Sequence, residues 1–244
     1  MSPSIAVATA ERVVRQLRRD RRTLALVLVV PPALLALFKY VFEAQPATFE
    51  RIGAPLVGLF PFILMFLVTS IAMLRERTGG TLERLMSLPL AKLDLLLGYG
   101  LAFAVVAALQ ATITSAVGFG LLDLDTEGAI WAVVAIAVAN AVLGMALGLL
   151  LSAFATSEFQ AVQFMPAVVF PQILLCGLLV PRESMPSVLE GISWFLPLTY
   201  AYDALARVTE GDLGGRLWLD VAVVLGSIVL ALAVGATTLR RRTP

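Results

Sequence analysis

Histidine is absent from this chain of 244 residues, and cysteine occurs once, at Cys176. The first absence removes the commonest metal ligand and the commonest general base, so zinc sites and histidine-based catalytic triads are excluded. The second rules out an internal disulfide; Cys176 sits in an apolar run and reads as an inert buried thiol. Charge is scarce as well: 14% of residues are charged and 59% hydrophobic, against roughly 25% and roughly 45–50% in a soluble domain. The formal net charge of +1 points to no acidic partner, and no nucleic acid is expected. Nor does a G-x-x-x-x-G-K-[ST] pattern occur, so nothing in these residues cradles nucleotide phosphates by the P-loop mechanism. The chain is not expected to be an enzyme or to bind a metal or cofactor.

What is present is a series of apolar runs, each near the roughly 20 residues that cross roughly 30 Å of hydrocarbon. They predict six spans, at about 24–42, 54–74, 95–122, 129–154, 161–180 and 217–239. The third and fourth are long enough to tilt or to project beyond the bilayer. The expected fold is an all-α membrane protein forming a single domain over 1–244. It has an N-terminal arm at 1–22, a six-span core at 24–239 and a basic tail at 240–244.

Lys and Arg set the orientation. With the N-terminus inside, thirteen fall on the inner segments and only Lys39, Arg51, Arg182, Arg207 and Arg216 outside. The positive-inside rule then predicts a multi-pass protein of the cell membrane with both termini cytoplasmic. In the arm, Ile5, Val13 and Leu17 can share one helix face among six arginines. This gives either a basic amphipathic segment at the membrane surface or a solvated flank that only orients the first span. A cleaved signal peptide fits poorly, since the run from Leu24 to Phe42 is too long for one. Residues 188–200, VLEGISWFLPLTY, are too few to span and too apolar to be freely solvated. They predict one or two short helices dipping into the outer leaflet between spans five and six.

Polar residues within the spans have two readings. Gln110, Thr114, Asn140, Gln163 and Gln172 can be interhelical hydrogen-bonding groups or can line a pathway. Span five is the best candidate for a pathway, because Pro166 and Pro171 bend a helix and free backbone carbonyls. Gly144 and Gly148 form a GxxxG that suits close packing within the chain. Phe60, Phe62 and Phe66 fill helix interfaces, face lipid, or line a route for apolar cargo.

The main break in this apolar chain is RERTGGTLERLMSLPL, from Arg75 to Leu90. Gly79 and Gly80 allow a sharp turn, Thr81 can N-cap a short helix, and Pro89 ends it. Leu82, Leu85 and Met86 then share one face while Glu83 and Arg84 point elsewhere. Such a stub either lies on lipid headgroups or meets a partner.

The segment resembles the region after the second span in permeases of the ABC-2 family of ABC exporters, with a pattern close to E-R-x-x-G-T-L-E-x-L-x-x-x-P. Glu76, Arg77, Gly80, Thr81, Leu82, Glu83, Leu85 and Pro89 carry the match. A second resemblance runs from Met165 to Arg207, through its Met-Pro and Pro-Leu-Thr-Tyr elements. The resemblance implies a drug-resistance-type permease whose stub is a cytoplasmic coupling helix, Thr81 to Leu88, with Glu76, Arg77, Gly80, Thr81, Leu82, Glu83, Arg84, Leu85 and Met86 as the coupling residues. This helix would seat in a cytoplasmic ABC ATPase, two copies of which carry ATP and Mg. The resemblance also implies that the arm is an amphipathic connecting helix and that the loop at Glu158 is a second, smaller ATPase contact. A second permease, a copy or a paralogue, would complete the pathway among membrane lipids, for export of an amphiphilic or hydrophobic drug-like or lipid-like compound. Two other classes stay open. An ion-coupled secondary transporter needs ionisable residues near the midplane, which the spans lack. A lipid-modifying intramembrane enzyme would have to use Asp123 and Asp125, which share a short outer loop with Glu127.

Overall fold

The computed structural model describes residues 3–79 and 92–238, and every regular element among them is helical. Helix α1 (Pro3–Arg19) buries Ala6, Thr9 and Val13, one stripe at helical spacing, and leaves most of its arginines exposed. That stripe packs on α4 (Lys92–Leu121), close enough that a Cβ on Gly98 would stand 2.5 Å from Thr9 Cβ. The apolar face of the arm is thus covered by the chain's own helix. Asp20 ends α1 and caps α2 (Arg21–Val41), accepting from the Thr23 N–H at 3.1 Å and from its hydroxyl at 2.6 Å. Those bonds hold the Asp20 carboxyl below the usual carboxylate range, the hydroxyl contributing most.

Helix α3 (Pro46–Thr78) has 33 residues and at 1.5 Å per residue runs about 50 Å, well beyond the hydrocarbon thickness. The expected span at 54–74 is its apolar middle. The helix begins eight residues earlier because Pro46 takes the first-turn position, where its missing N–H costs nothing. Hydropathy marks where a helix is oily and not where it ends. Helix α5 (Ile130–Leu151) lies along α3 with Gly144 and Gly148 at the contact. A Cβ on Gly144 would fall 2.2 Å from the Phe62 carbonyl oxygen, and one on Gly148 2.2 Å from Thr69 Oγ1. The GxxxG packs within the chain, and Phe62 and Phe66 are fully buried beside it.

The expected fifth span is a broken segment. Helix α6 (Glu158–Phe164) passes through a π-turn at Met165–Val169 into α7 (Phe170–Leu175). Pro166 and Pro171 each remove a donor, and the wider turn at Pro166 absorbs the first loss. Among the described residues, five helices are long and apolar enough to cross a membrane: α2, α3, α4, α5 and α10 (Gly215–Thr238). Between α7 and α10 come a 3-10 turn at Arg182–Ser184, α8 (Ser187–Ser193) and α9 (Pro197–Thr209). These are the short helices expected there. Helices α3, α4 and α5 form the centre, while α2 and α10 keep broad apolar faces exposed.

Candidate functional site

The break at Arg75–Leu90 enters the described residues only at its start. Gly80, Thr81, Leu82, Glu83, Arg84, Leu85 and Met86, and the helix expected there, lie outside them, as does the basic tail. What leads into that segment is well defined. At the end of α3, the Arg75 guanidinium grips Glu158 with two parallel bonds, Nε to Oε1 at 2.7 Å and Nη2 to Oε2 at 2.9 Å. This fork-to-fork geometry is the strong form of the ion pair. It also holds the Glu158 carboxyl below the usual carboxylate range.

Glu158 is placed by its own turn. Ser157 caps α6, accepting from the Gln160 N–H at 3.2 Å, while the Gln160 side-chain oxygen accepts from the Thr156 N–H at 2.8 Å. The two bonds form a reciprocal cap of the capping-box kind, which fixes the loop before α6. Glu76, the next residue on α3, faces another way. Its Oε2 stands 4.0 Å from Arg12 Nη2 of α1, and Arg12 donates to Tyr99 Oη of α4 at 2.5 Å while lying over that ring. Arg77 is half-buried, and its Nε and Nη2 have no hydrogen-bond partner among the described residues.

At this end α1, α3, α4 and the start of α2 surround a cavity of about 390 Å³ that Gln16, Asp20, Thr23, Arg75, Glu76 and Tyr99 share with apolar side chains, and α6 joins α3 beside it through the Arg75–Glu158 pair. The end of α3 is thus linked to α6 through Arg75 and to α1 through Glu76, with Arg12 of α1 in turn bonded to α4 at Tyr99. The arrangement can transmit displacement.

Gln110, Thr114 and Asn140 are buried inside the chain. Gln110 donates to the Val27 carbonyl at 2.8 Å, tying α4 to α2, and the Thr114 hydroxyl donates to the Gln110 carbonyl at 2.9 Å. Asn140 Oδ1 is buried without a hydrogen bond among the described residues. Gln172 is buried too and bridges α7 to α9, its oxygen accepting from the Leu198 N–H at 3.4 Å. Gln163 and Pro166 are exposed, on the outer side of the broken segment.

The opposite end of the bundle carries charges whose pairing the sequence did not reveal. Arg182 pairs with Asp203 at 2.5 Å and lies over the Trp194 ring at 4.7 Å, both partners of the ion pair being largely buried. Arg207 bridges Asp212 at 3.2 Å and Asp220 at 3.1 Å. Asp212 is held below the usual range, first by the Gly214 N–H and then by Arg207. Lys39 pairs with Asp123 at 3.7 Å, so Asp123 is an ion-pair partner in a loop next to Asp125 and Glu127. A signal for these pairs was available: a region too apolar to be solvated has to match each charge it carries. Arg12 and Tyr99 gave no such signal, because their meeting depends on how α1 folds back.

Comparison with known proteins places the whole arrangement. Residues 6–209 match the family model of the ABC-2 type transporter. The chain is 29% identical to the probable multidrug ABC transporter permease YbhR of Escherichia coli strain K12 over 183 residues, 75% of this chain and 48% of that protein. It is 24% identical to the probable multidrug ABC transporter permease YbhS of the same strain over 206 residues, 84% of this chain and 55% of that protein. It is 26% identical to ABC transporter G family member 20 of Dictyostelium discoideum over 190 residues, 77% of this chain and 26% of that protein. The chain spans about half the length of the two bacterial relatives and about a quarter of the third.

Proposed function

The chain belongs to the ABC-2 type transporter family, and on that premise we propose that it is a permease of an ATP-driven exporter, driven by a separate ATP-hydrolysing subunit. One observation carries the reading. The two places suggested to meet the ATPase, the segment after α3 and the loop at Glu158, are joined by the bidentate Arg75–Glu158 pair. A partner seated there would engage both at once, as a single footing on the cytoplasmic side. Its closure on ATP and Mg would move α3, and through Glu76 and Arg12 the arm would follow.

In this reading α6 to α7 completes a sixth span, α8 and α9 dip into the outer leaflet, and two permeases with two ATPase copies enclose the pathway. The pathway runs along the exposed side of the broken segment, past Gln163 and Pro166, while Gln110 and Gln172 tie helices together and Thr114 and Asn140 stay buried inside the bundle. The relatives' names as multidrug permeases support an amphiphilic or hydrophobic cargo. Motion is mostly rigid-body, since packed helices switch between discrete arrangements. Glu83→Arg tests the proposal: in the reconstituted assembly it should leave ATP hydrolysis running and abolish export, with insertion unchanged. Undiminished export by that variant would overturn it.

A further inference from the structure

Four arginines crowd the junction between α1 and α2. Positions 18–22 read Arg-Arg-Asp-Arg-Arg, four cations against one carboxylate. Arg18, Arg19, Arg21 and Arg22 are all exposed. None of the four has an ion pair or a side-chain hydrogen bond among the described residues, whereas Arg15 meets Glu11. The carboxylate between them, Asp20, is spent on the Thr23 cap. Unmatched cations at this density attract anions from outside the chain.

Depth identifies the anion. On α2, Arg22, Leu26, Val29, Leu37 and Tyr40 fall on one face at helical spacing. All five are exposed, the four after Arg22 by more than half, so no described element of this chain covers the stripe. Arg22 and Tyr40 are five full turns apart, about 27 Å, close to the roughly 30 Å of hydrocarbon in a bilayer. Tyrosine marks one headgroup layer, and with Tyr40 there Arg22 stands at the other. Between them the stripe is apolar, as a lipid-facing surface is. Arg21 is the neighbour of Arg22, and Arg18 and Arg19 lie within four residues of it. The apolar stripe of α1 is buried on α4, so the arm meets the membrane through these arginines and not through an inserted apolar face. At that depth a bilayer itself supplies anions, the phosphates of acidic lipids.

We propose that the α1–α2 junction is a docking surface for the headgroups of anionic phospholipids in the leaflet on the α1 side, with Arg22 at its centre and Arg18, Arg19 and Arg21 beside it. Held there, the junction is a fixed pivot for α1, whose other polar contacts run through Arg12 to Glu76 and Tyr99. The surface rests on the membrane character of α2 and not on which compound is exported or which subunit drives export.

Quenching of a single label reads the lipid at this place. The full chain carrying Leu26→Cys and Cys176→Ser, labelled with a fluorophore and reconstituted in phosphatidylcholine vesicles, is titrated with spin-labelled phosphatidylglycerol or spin-labelled phosphatidylcholine. Phosphatidylglycerol should quench at the lower mole fraction. That preference should fall about fivefold in Arg22→Gln, the worth of one cation beside an anionic headgroup, and again in Arg18→Gln with Arg19→Gln. Arg22→Lys should keep most of it, and salt raised to about 1 M should weaken it by shortening the screening length. A label at Val229→Cys on α10, also exposed, should show no preference. Equal preference at the two positions, or a preference unchanged in the glutamine variants, would overturn the proposal. So would a label at position 26 that neither lipid quenches, since the face would then belong to a second copy. Glutamine variants that keep the lipid preference and lose the ATPase would assign the arginines to that subunit instead.

Discussion

The two ends of the bundle use charge differently. At the end away from α1, Arg182 with Asp203 and Arg207 with Asp220 are matched and sheltered, while Asp212 and the Lys39–Asp123 pair lie at the exposed rim. At the α1 end, Arg75 and Glu158 are paired with good geometry but are more than half exposed, and Arg15 meets only Glu11 one turn away on the same helix. The surplus arginines of α1 remain in solvent. The contrast separates a fixed end from an end that can part and re-form. Sheltered pairs are costly to break because a lone buried charge is left behind. Exposed pairs are screened and contribute little to stability, which suits a surface that has to exchange one partner for another.

The largest expected effect lies between the two ends and would break both. Gly148→Val places a side chain against the Thr69 hydroxyl and the Phe66 carbonyl, and overpacking a dense helix contact should cost about 3 kcal/mol or more. Thermal unfolding in detergent should show a large loss, and an unchanged midpoint would mean that α3 and α5 do not meet at these glycines.

Next in size is a direct comparison of the ends. Asp203→Asn leaves Arg182 sheltered and unmatched, and should cost about 3 kcal/mol, the low end for a buried pair that loses one partner. Glu158→Gln at the other end should change the unfolding midpoint little. Equal losses would erase the distinction.

The smallest effect is a pH dependence. Arg75 holds Glu158 below the carboxylate value of 4.5, so whatever the pair contributes is present above the unfolded-state pKa. It is lost as pH falls through the lower folded value. The difference in unfolding midpoint between the wild type and Glu158→Gln should therefore be constant from neutral pH to mildly acid pH and vanish only in stronger acid. A decline centred near neutrality would assign the contact to another group.

Much of the fold was legible in the residues because lipid imposes a simple rule, that a helix crossing it must be apolar for about 20 residues. The rule found α2, α3, α4, α5 and α10 to within several residues, apart from the polar ends of α3. At the fifth segment it marked the apolar run, and Pro166 and Pro171 marked a bend, but not the π-turn at Met165–Val169 nor the helix end at Leu175, short of the run's end at Val180. Resemblance pointed to Glu158 and Glu76 but not to their partners. Arg75 lies 83 residues from Glu158, and Tyr99 lies 87 from Arg12. No local period carries such a pairing; it follows from α1 folding back onto α4 and from the turn that Ser157 and Gln160 cap.

The central claim is that the α1 end, and not the paired end, seats the ATP-hydrolysing subunit. Site-directed cross-linking tests it most directly, using Glu83→Cys, Glu158→Cys and Asp125→Cys, each in a Cys176→Ser background, in the assembly purified with its ATPase. The account predicts cross-links to the ATPase from positions 83 and 158 and none from 125. A cross-link from 125, or none from 83 and 158 while the ATPase stays bound, would contradict it.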